Sequence, residues 1–111
     1  MDTIDGYRAI IENVLAAYAR IPYAYGDIVT ETVFDRTNDR YLLVNVGWDG
    51  DRRVHGCLLH LDLTDGKVWI QRDGTEDGIA GELELAGIPK DHIVLGFRSA
   101  ELRQYTDYAI A

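Results

Sequence analysis

One cysteine, one serine and two prolines in 111 residues leave several chemistries without their raw material. Cys57 alone cannot close an internal disulfide, which excludes a cysteine-rich metal site and suits a reducing compartment. Ser99 has no G-x-S-x-G around it, so no nucleophile elbow is present. Phosphate-binding glycine loops and dinucleotide fingerprints are missing too. Basic residues are scarce: Lys and Arg number 11 against 19 Asp and Glu, for a formal charge of -8. That field repels a polyanion, so direct DNA binding is not expected. No apolar run is long enough to cross a bilayer, and the amino-terminal M-D-T-I-D-G-Y-R lacks the basic-then-apolar pattern of a signal peptide. The expected compartment is the cytoplasm, with no membrane role. Repeats, linkers and low-complexity tracts are also missing, and the length suits one domain over residues 1–111.

What is present reads as a helix, four strands and a helical tail. Hydrophobic residues make up 47% of the chain, enough for one modest core. Ile4, Tyr7, Ile11, Val14, Leu15 and Tyr18 recur at spacings of three and four, which predicts a helix over residues 3–20, ended with the help of Pro22. After Gly26 the period changes to two. "D-I-V-T-E-T-V-F-D", "R-Y-L-L-V-N-V-G-W", "V-H-G-C-L-L-H-L-D-L" and "K-V-W-I-Q-R" follow as strands, divided by the Asp35 to Asp39 stretch and by Asp49-Gly50 and Asp65-Gly66. Asp-Gly tolerates the positive φ of tight hairpins, so the strands are expected to run as an antiparallel meander. Leu42, Val44, Val46 and Trp48 form the more apolar side of the second strand and are expected to lie under the helix. On the third strand His55, Cys57, Leu59, Leu61 and Leu63 share one side by alternation, and Leu58, His60 and Asp62 the other.

The segment "Q-R-D-G-T-E-D-G-I-A-G-E-L-E-L-A-G-I-P" permits two readings. Asp73, Thr75, Asp77, Gly78 and Glu84 occupy the first, third, fifth, sixth and twelfth places of an EF-hand frame. A strand, however, enters this loop where an EF-hand needs a helix, and the third place is not an acid. Helix-boundary chemistry accounts for the same residues: Asp73, Thr75 or Asp77 accept bonds from free amides at the start. Gly87 takes the left-handed position at the end, Ile88 touches Leu83, and Pro89 blocks continuation. The boundary reading is preferred, and no metal or other cofactor is expected.

Other candidate chemistries are sparse. His55 and Cys57 share a strand face, which puts a thiol and an imidazole within reach of each other; a small cysteine beside a histidine at a sheet edge is the plainer account. His60 is expected on the opposite face, and His92 stands apart. Asp49, Asp51, Asp62 and Asp65 offer carboxylates, but three of them sit in or beside hairpin turns. No named enzyme emerges. Arg52-Arg53 at a hairpin tip, with Trp48 and Trp69 as stacking residues, is the one nucleic-acid-like feature.

"D-R-Y-L-L-V-N-V-G-W-D-G", "V-H-G-C-L-L-H-L-D-L", "K-V-W-I-Q-R-D-G-T-E-D-G-I-A", "G-I-P-K-D-H-I-V-L-G-F" and the closing "Y-T-D-Y-A-I-A" together resemble the XisI family, the fdxN element excision controlling factors. The family pattern often carries His-Pro-Pro where this chain has Arg98-Ser99-Ala100, and Phe where it has Tyr108. The resemblance implies a bacterial α+β protein: an amino-terminal helix packed on a four-stranded antiparallel meander, followed by short carboxy-terminal helices. It also implies a partner, the endonuclease-like XisH, and an indirect role beside a site-specific recombinase in excising a DNA element. Excision proteins that bend DNA are small and basic, so this acidic chain is expected to work by protein–protein contact. Exposed-looking arginines and aromatics suggest the contacts: Trp48, Arg52 and Arg53 at the hairpin tip, and Arg98, Arg103, Tyr105 and Tyr108 in the tail. An enzyme binding a small molecule or metal on the polar sheet face, and a calcium-responsive module, are the alternatives. A half-polar sheet leaves room for homo-oligomers, and the sequence does not choose among monomer, dimer and higher assembly.

Overall fold

The computed structural model describes residues 3–23 and 26–111; Met1, Asp2, Ala24 and Tyr25 lie outside the described residues. Helix α1 (Thr3–Ala19) leads into β1 (Asp27–Asp35), β2 (Arg40–Asp49), β3 (Arg52–Thr64) and β4 (Lys67–Asp73). These strands form an antiparallel meander, β1-β2-β3-β4. A short helix α2 (Ala80–Leu85) and a 3-10 turn (Lys90–His92) then carry the chain to β5 (Ile93–Leu95), and α3 (Ala100–Arg103) closes the order. Because β5 returns across α2, it pairs parallel to β4, so the sheet is mixed and five-stranded rather than four-stranded.

The turns follow their residues. Asp65 and Gly66 hold φ of 52° and 78°, the pair of positive angles a two-residue hairpin demands. The β1–β2 turn is built by Asp35, whose Oδ1 accepts from the amides of Thr37 and Asn38 at 3.0 and 3.1 Å. Its last residue, Asp39, sits at φ 54°, and Arg8 of α1 donates to both Asp39 oxygens at 2.7 and 3.0 Å. Helix and hairpin are thereby clamped together at one corner. The Arg8 hydrogen bonds hold the Asp39 carboxyl below its ordinary pKa.

The helix-boundary reading of residues 71–89 holds, although the N-cap position is Ile79 and carries no side-chain cap of its own. Asp73 accepts from the amides of Thr75 at 3.0 Å and Ile79 at 2.8 Å, organising the loop that enters α2. At the far end the Ile88 amide bonds the Leu83 carbonyl and the Gly87 amide bonds that of Glu84, both at 3.0 Å, with Gly87 at φ 117°. That is a Schellman cap. Both Asp73 oxygens are therefore engaged by the loop itself, and among the described residues no three His, Cys, Asp or Glu side chains converge.

The core lies between the helices and one face of the sheet. Tyr7, Ile11 and Leu15 of α1 pack with Tyr41, Leu43, Leu59, Leu61, Ile70, Leu83 and Ile93. Each such side chain contributes about 1.5–3 kcal/mol on burial. The covered side of β2 is the reverse of the expected one. Tyr41 and Leu43 are fully buried, while Leu42, Val44, Val46 and Trp48 face away from α1. The less apolar side can be buried because its polar atoms are paired: the Tyr41 hydroxyl donates to Asp39 at 2.9 Å, and Asn45 meets Thr30 and Tyr23.

On β3 the alternation breaks. Leu43 pairs with Leu59 and Val44 with Cys57, so Leu58 is an extra residue in a bulge. The bulge shifts the phase: Leu59, Leu61 and Leu63 point into the core while His55 and Cys57 point out. His60, paired with Leu42, consequently shares their outer face, contrary to the sequence expectation.

Candidate interaction surface

The uncovered face of β1–β3 collects apolar side chains in rows. Val29 pairs with Val46 and Val33 with Leu42, and Val44 lies between them along β2. Val29 is 62% exposed, Trp48 50% and Val33 49%. Helix α1 lies on the opposite side, so no element among the described residues covers this apolar strip. Patches of this kind mark interaction sites more often than chance exposure does.

Polar groups border the strip along β3 and β4. Asp62, 9% exposed, accepts from His60 Nε2 at 2.7 Å and Gln71 at 3.2 Å, with the Arg40 guanidinium 3.5 Å away. A carboxylate can orient a histidine for proton transfer, but a reaction also needs a nucleophile or bound group. Cys57 does not supply an activated one: its thiol donates to the Leu59 carbonyl at 3.2 Å, and burial pushes its pKa up. His92, on the other side of the sheet, bonds the Tyr7 hydroxyl through Nδ1 at 2.6 Å.

At the hairpin tip the Arg53 guanidinium stacks 5.2 Å from the Trp48 ring, and Arg52 pairs with Asp49 at 3.2 Å. Trp48, Arg52 and Arg53 therefore form one exposed group. The tail residues stand apart from it: Trp48 and Arg53 are nine β3 residues from Asp62, the partner of Trp69, or about 25–30 Å along the strand. There Arg103 lies 5.3 Å over the Trp69 ring and donates to the carbonyls of Ile110 and Arg98 at 2.6 and 2.7 Å.

The match to known proteins extends over this whole arrangement. Residues 1–110 match the XisI protein family. The chain belongs to the XisI family. A XisI-like protein from Anabaena variabilis superimposes with a TM-score of 0.88 at 35% identity, covering 97% of this chain and 99% of its own. The fdxN element excision controlling factor XisI from Anabaena variabilis gives 0.81 at 35% identity, covering 99% and 100%. No curated protein matches the chain.

Within this XisI fold the sequence-derived contact residues divide into two kinds. Arg103 fastens the tail, and Tyr108 donates to Glu84 at 2.7 Å; burial, then that bond, raises its pKa to about 12. Both side chains are engaged internally. Tyr105 is 79% exposed, and Arg98 is exposed beside the Phe97 ring. Ser99, in the Arg98-Ser99-Ala100 departure, caps α3 by accepting from the Leu102 amide at 3.3 Å. Sequence reasoning missed the Val29, Val33, Val44 and Val46 strip, because Val44 and Val46 read as core and Val29 and Val33 were assigned to neither face. Their number exceeded what one helix can cover, and that excess was the available signal.

Proposed function

We propose that this XisI family member controls excision of a DNA element by protein–protein contact with an endonuclease-like XisH partner, using the open face of β1–β3. The observation that carries the reading is the uncovered apolar strip ending in the Trp48–Arg53 stack. Aromatics and arginine are favoured at interface centres, and burying the strip supplies a hydrophobic driving force that needs no change of fold. The charge of -8 supports leaving DNA contact to the partner, with any site-specific recombinase engaged indirectly.

Co-expression with an XisH-like protein, followed by size-exclusion chromatography with light scattering, tests it. A complex of defined stoichiometry is expected, and Val29→Asp with Val33→Asp should dissolve it while the isolated protein stays folded. Separate peaks at micromolar concentration, or a complex indifferent to both substitutions, would reject the assigned face. Tight binding of the isolated protein to element ends at physiological salt would reject the indirect role. The enzymatic alternative rests on the His60–Asp62 pair. It requires a turnover that His60→Ala abolishes.

A further inference from the structure

The helical side of the molecule carries a second feature, independent of the open sheet face. A groove of about 720 Å³ runs between the carboxy-terminal half of α1 and the segment from Thr75 to Ala86. Helix α2 is only six residues long and ends at the Gly87 cap, so it leaves the last turns of α1 without a full partner. Val14, Ala17, Tyr18 and Ile21 line one wall at spacings of three, one and three, a second apolar stripe beside the core stripe of Tyr7, Ile11 and Leu15. Leu85 forms the opposite lip at 85% exposure, and Ile21 stands 60% exposed.

Charge around the groove has one sign. Glu76, Asp77 and Glu82 are exposed on its rim, and among the described residues no Lys or Arg lines it. An apolar trough with an acidic border repels nucleic acid and favours an occupant bearing cations beside apolar side chains. One wall is α1 and the other is the loop from Thr75 to Ile79 with α2, and no strand lines the trough among the described residues; a trough beside a helix with no open strand edge accepts an amphipathic helix by its i, i+3, i+4 face rather than an added strand.

We propose that this groove binds a basic amphipathic helix of a partner protein, with apolar side chains between Tyr18 and Leu85 and Lys or Arg against Glu76, Asp77 and Glu82. The contact is separate from the β1–β3 face, so one chain can hold two partner segments at once.

The probe is a labelled Leu/Lys amphipathic peptide of about 15 residues, long enough to form a helix on binding. Two comparators carry Glu for Lys, and the same composition with its helical period scrambled. Titrations followed by fluorescence anisotropy and by amide chemical shifts of the protein read affinity and place. The Leu/Lys peptide should bind with a Kd on the order of micromolar, shifting amides within residues 13–21 and 75–86. Leu85→Asp decides between a groove and simple attraction to an acidic surface. It removes an apolar lip and adds negative charge, so groove binding should weaken about tenfold whereas charge attraction alone would strengthen. Glu82→Lys should weaken binding as well. No binding, shifts scattered over the sheet face, equal binding of either comparator, or unchanged or tighter binding by Leu85→Asp would overturn the proposal.

Discussion

Gly47 on β2 lies hard against the β1 backbone, and its replacement by alanine should cost far more than the same methyl group added at Gly56. A Cβ built there would stand 1.9 Å from the Asp27 carbonyl oxygen and 2.7 Å from the Ile28 Cα. Both are backbone atoms, so no side chain can rotate away, and β1 must withdraw by more than an ångström. Gly47 pairs with Ile28, and the adjoining pair is Trp48 with Asp27, so the withdrawal breaks the beginning of the β1 ladder. Two ladder bonds at about 1 kcal/mol each give a loss of about 2 kcal/mol. At roughly 4 °C per kcal/mol in a domain of this size, Tm should fall by about 8 °C. Calorimetry measures the fall, and hydrogen exchange locates it: protection should drop at Val29 and Val46 and persist at Val33 and Leu42. Gly56→Ala is the control, because nothing lies within 4 Å of its Cβ position. It should leave Tm within a degree or two, or raise it slightly by restricting the unfolded chain. Equal melting of both variants would show that β1 does not approach Gly47 so closely and would refute the argument.

Four further outcomes follow from the same geometry. Leu43→Ala should destabilise by about 3 kcal/mol through a core cavity and Leu42→Ala by less than half of that, and a reversed order in urea titrations would return β2 to the orientation its hydropathy suggests. Gly87→Val should cost about 1 kcal/mol or more at φ 117°, since its Cβ meets nothing nearer than 3.9 Å and the penalty is conformational; an unchanged melting temperature would disprove the Schellman cap. The lowered Asp39 pKa stabilises the fold above the ordinary value of 3.8 and is lost as pH falls below it, whereas Tyr41, pushed up to about 12 mainly by burial, stabilises it below pH 10 and is lost between 10 and 12. Urea midpoints across pH should show both limbs, with Asp39→Asn flattening the acid one and Tyr41→Phe the alkaline one. Cys57, with its raised pKa, should react with a disulfide reagent at neutral pH more slowly than an unstructured thiol, and a faster reaction would revive it as a nucleophile.

Much of the fold was legible because short-range rules governed it. Asp65-Gly66 specified a hairpin through its φ angles, Gly87 and Pro89 marked the end of α2, and the three–four spacing of Tyr7, Ile11 and Leu15 defined the buried side of α1. Orientation was not local. Alternation states which β2 residues share a face, but which face is covered depended on partners brought from elsewhere: Arg8, which holds the Asp39 carboxylate that takes the Tyr41 hydroxyl, and Thr30 and Tyr23 for Asn45. The bulge at Leu58 left no mark in composition, so the outward placement of His55 and Cys57 together with His60 escaped sequence reading. Strand β5, three residues after a 3-10 turn, was too short to announce itself. The hairpin tip was foreseen from Trp48 and its arginines, whereas the groove was hidden because Val14 and Tyr18 look like ordinary core.

The extra residue at Leu58 gives β3 an unusual relation between mutation and surface. Arg53, His55 and Cys57 are displayed outward by a phase offset of one residue, with Val54 and Gly56 on the helical side. Removing Leu58 would set Cys57 directly beside Leu59 in the ladder and leave Arg53, His55 and Cys57 outward, whereas drawing Leu58 into the ladder opposite Val44 would turn all three toward the helical side in a single step, exchanging them with Val54 and Gly56. Substitution alters such a surface one side chain at a time; a one-residue slip of register at this site rewrites half a strand while leaving the Leu59, Leu61 and Leu63 anchors in place.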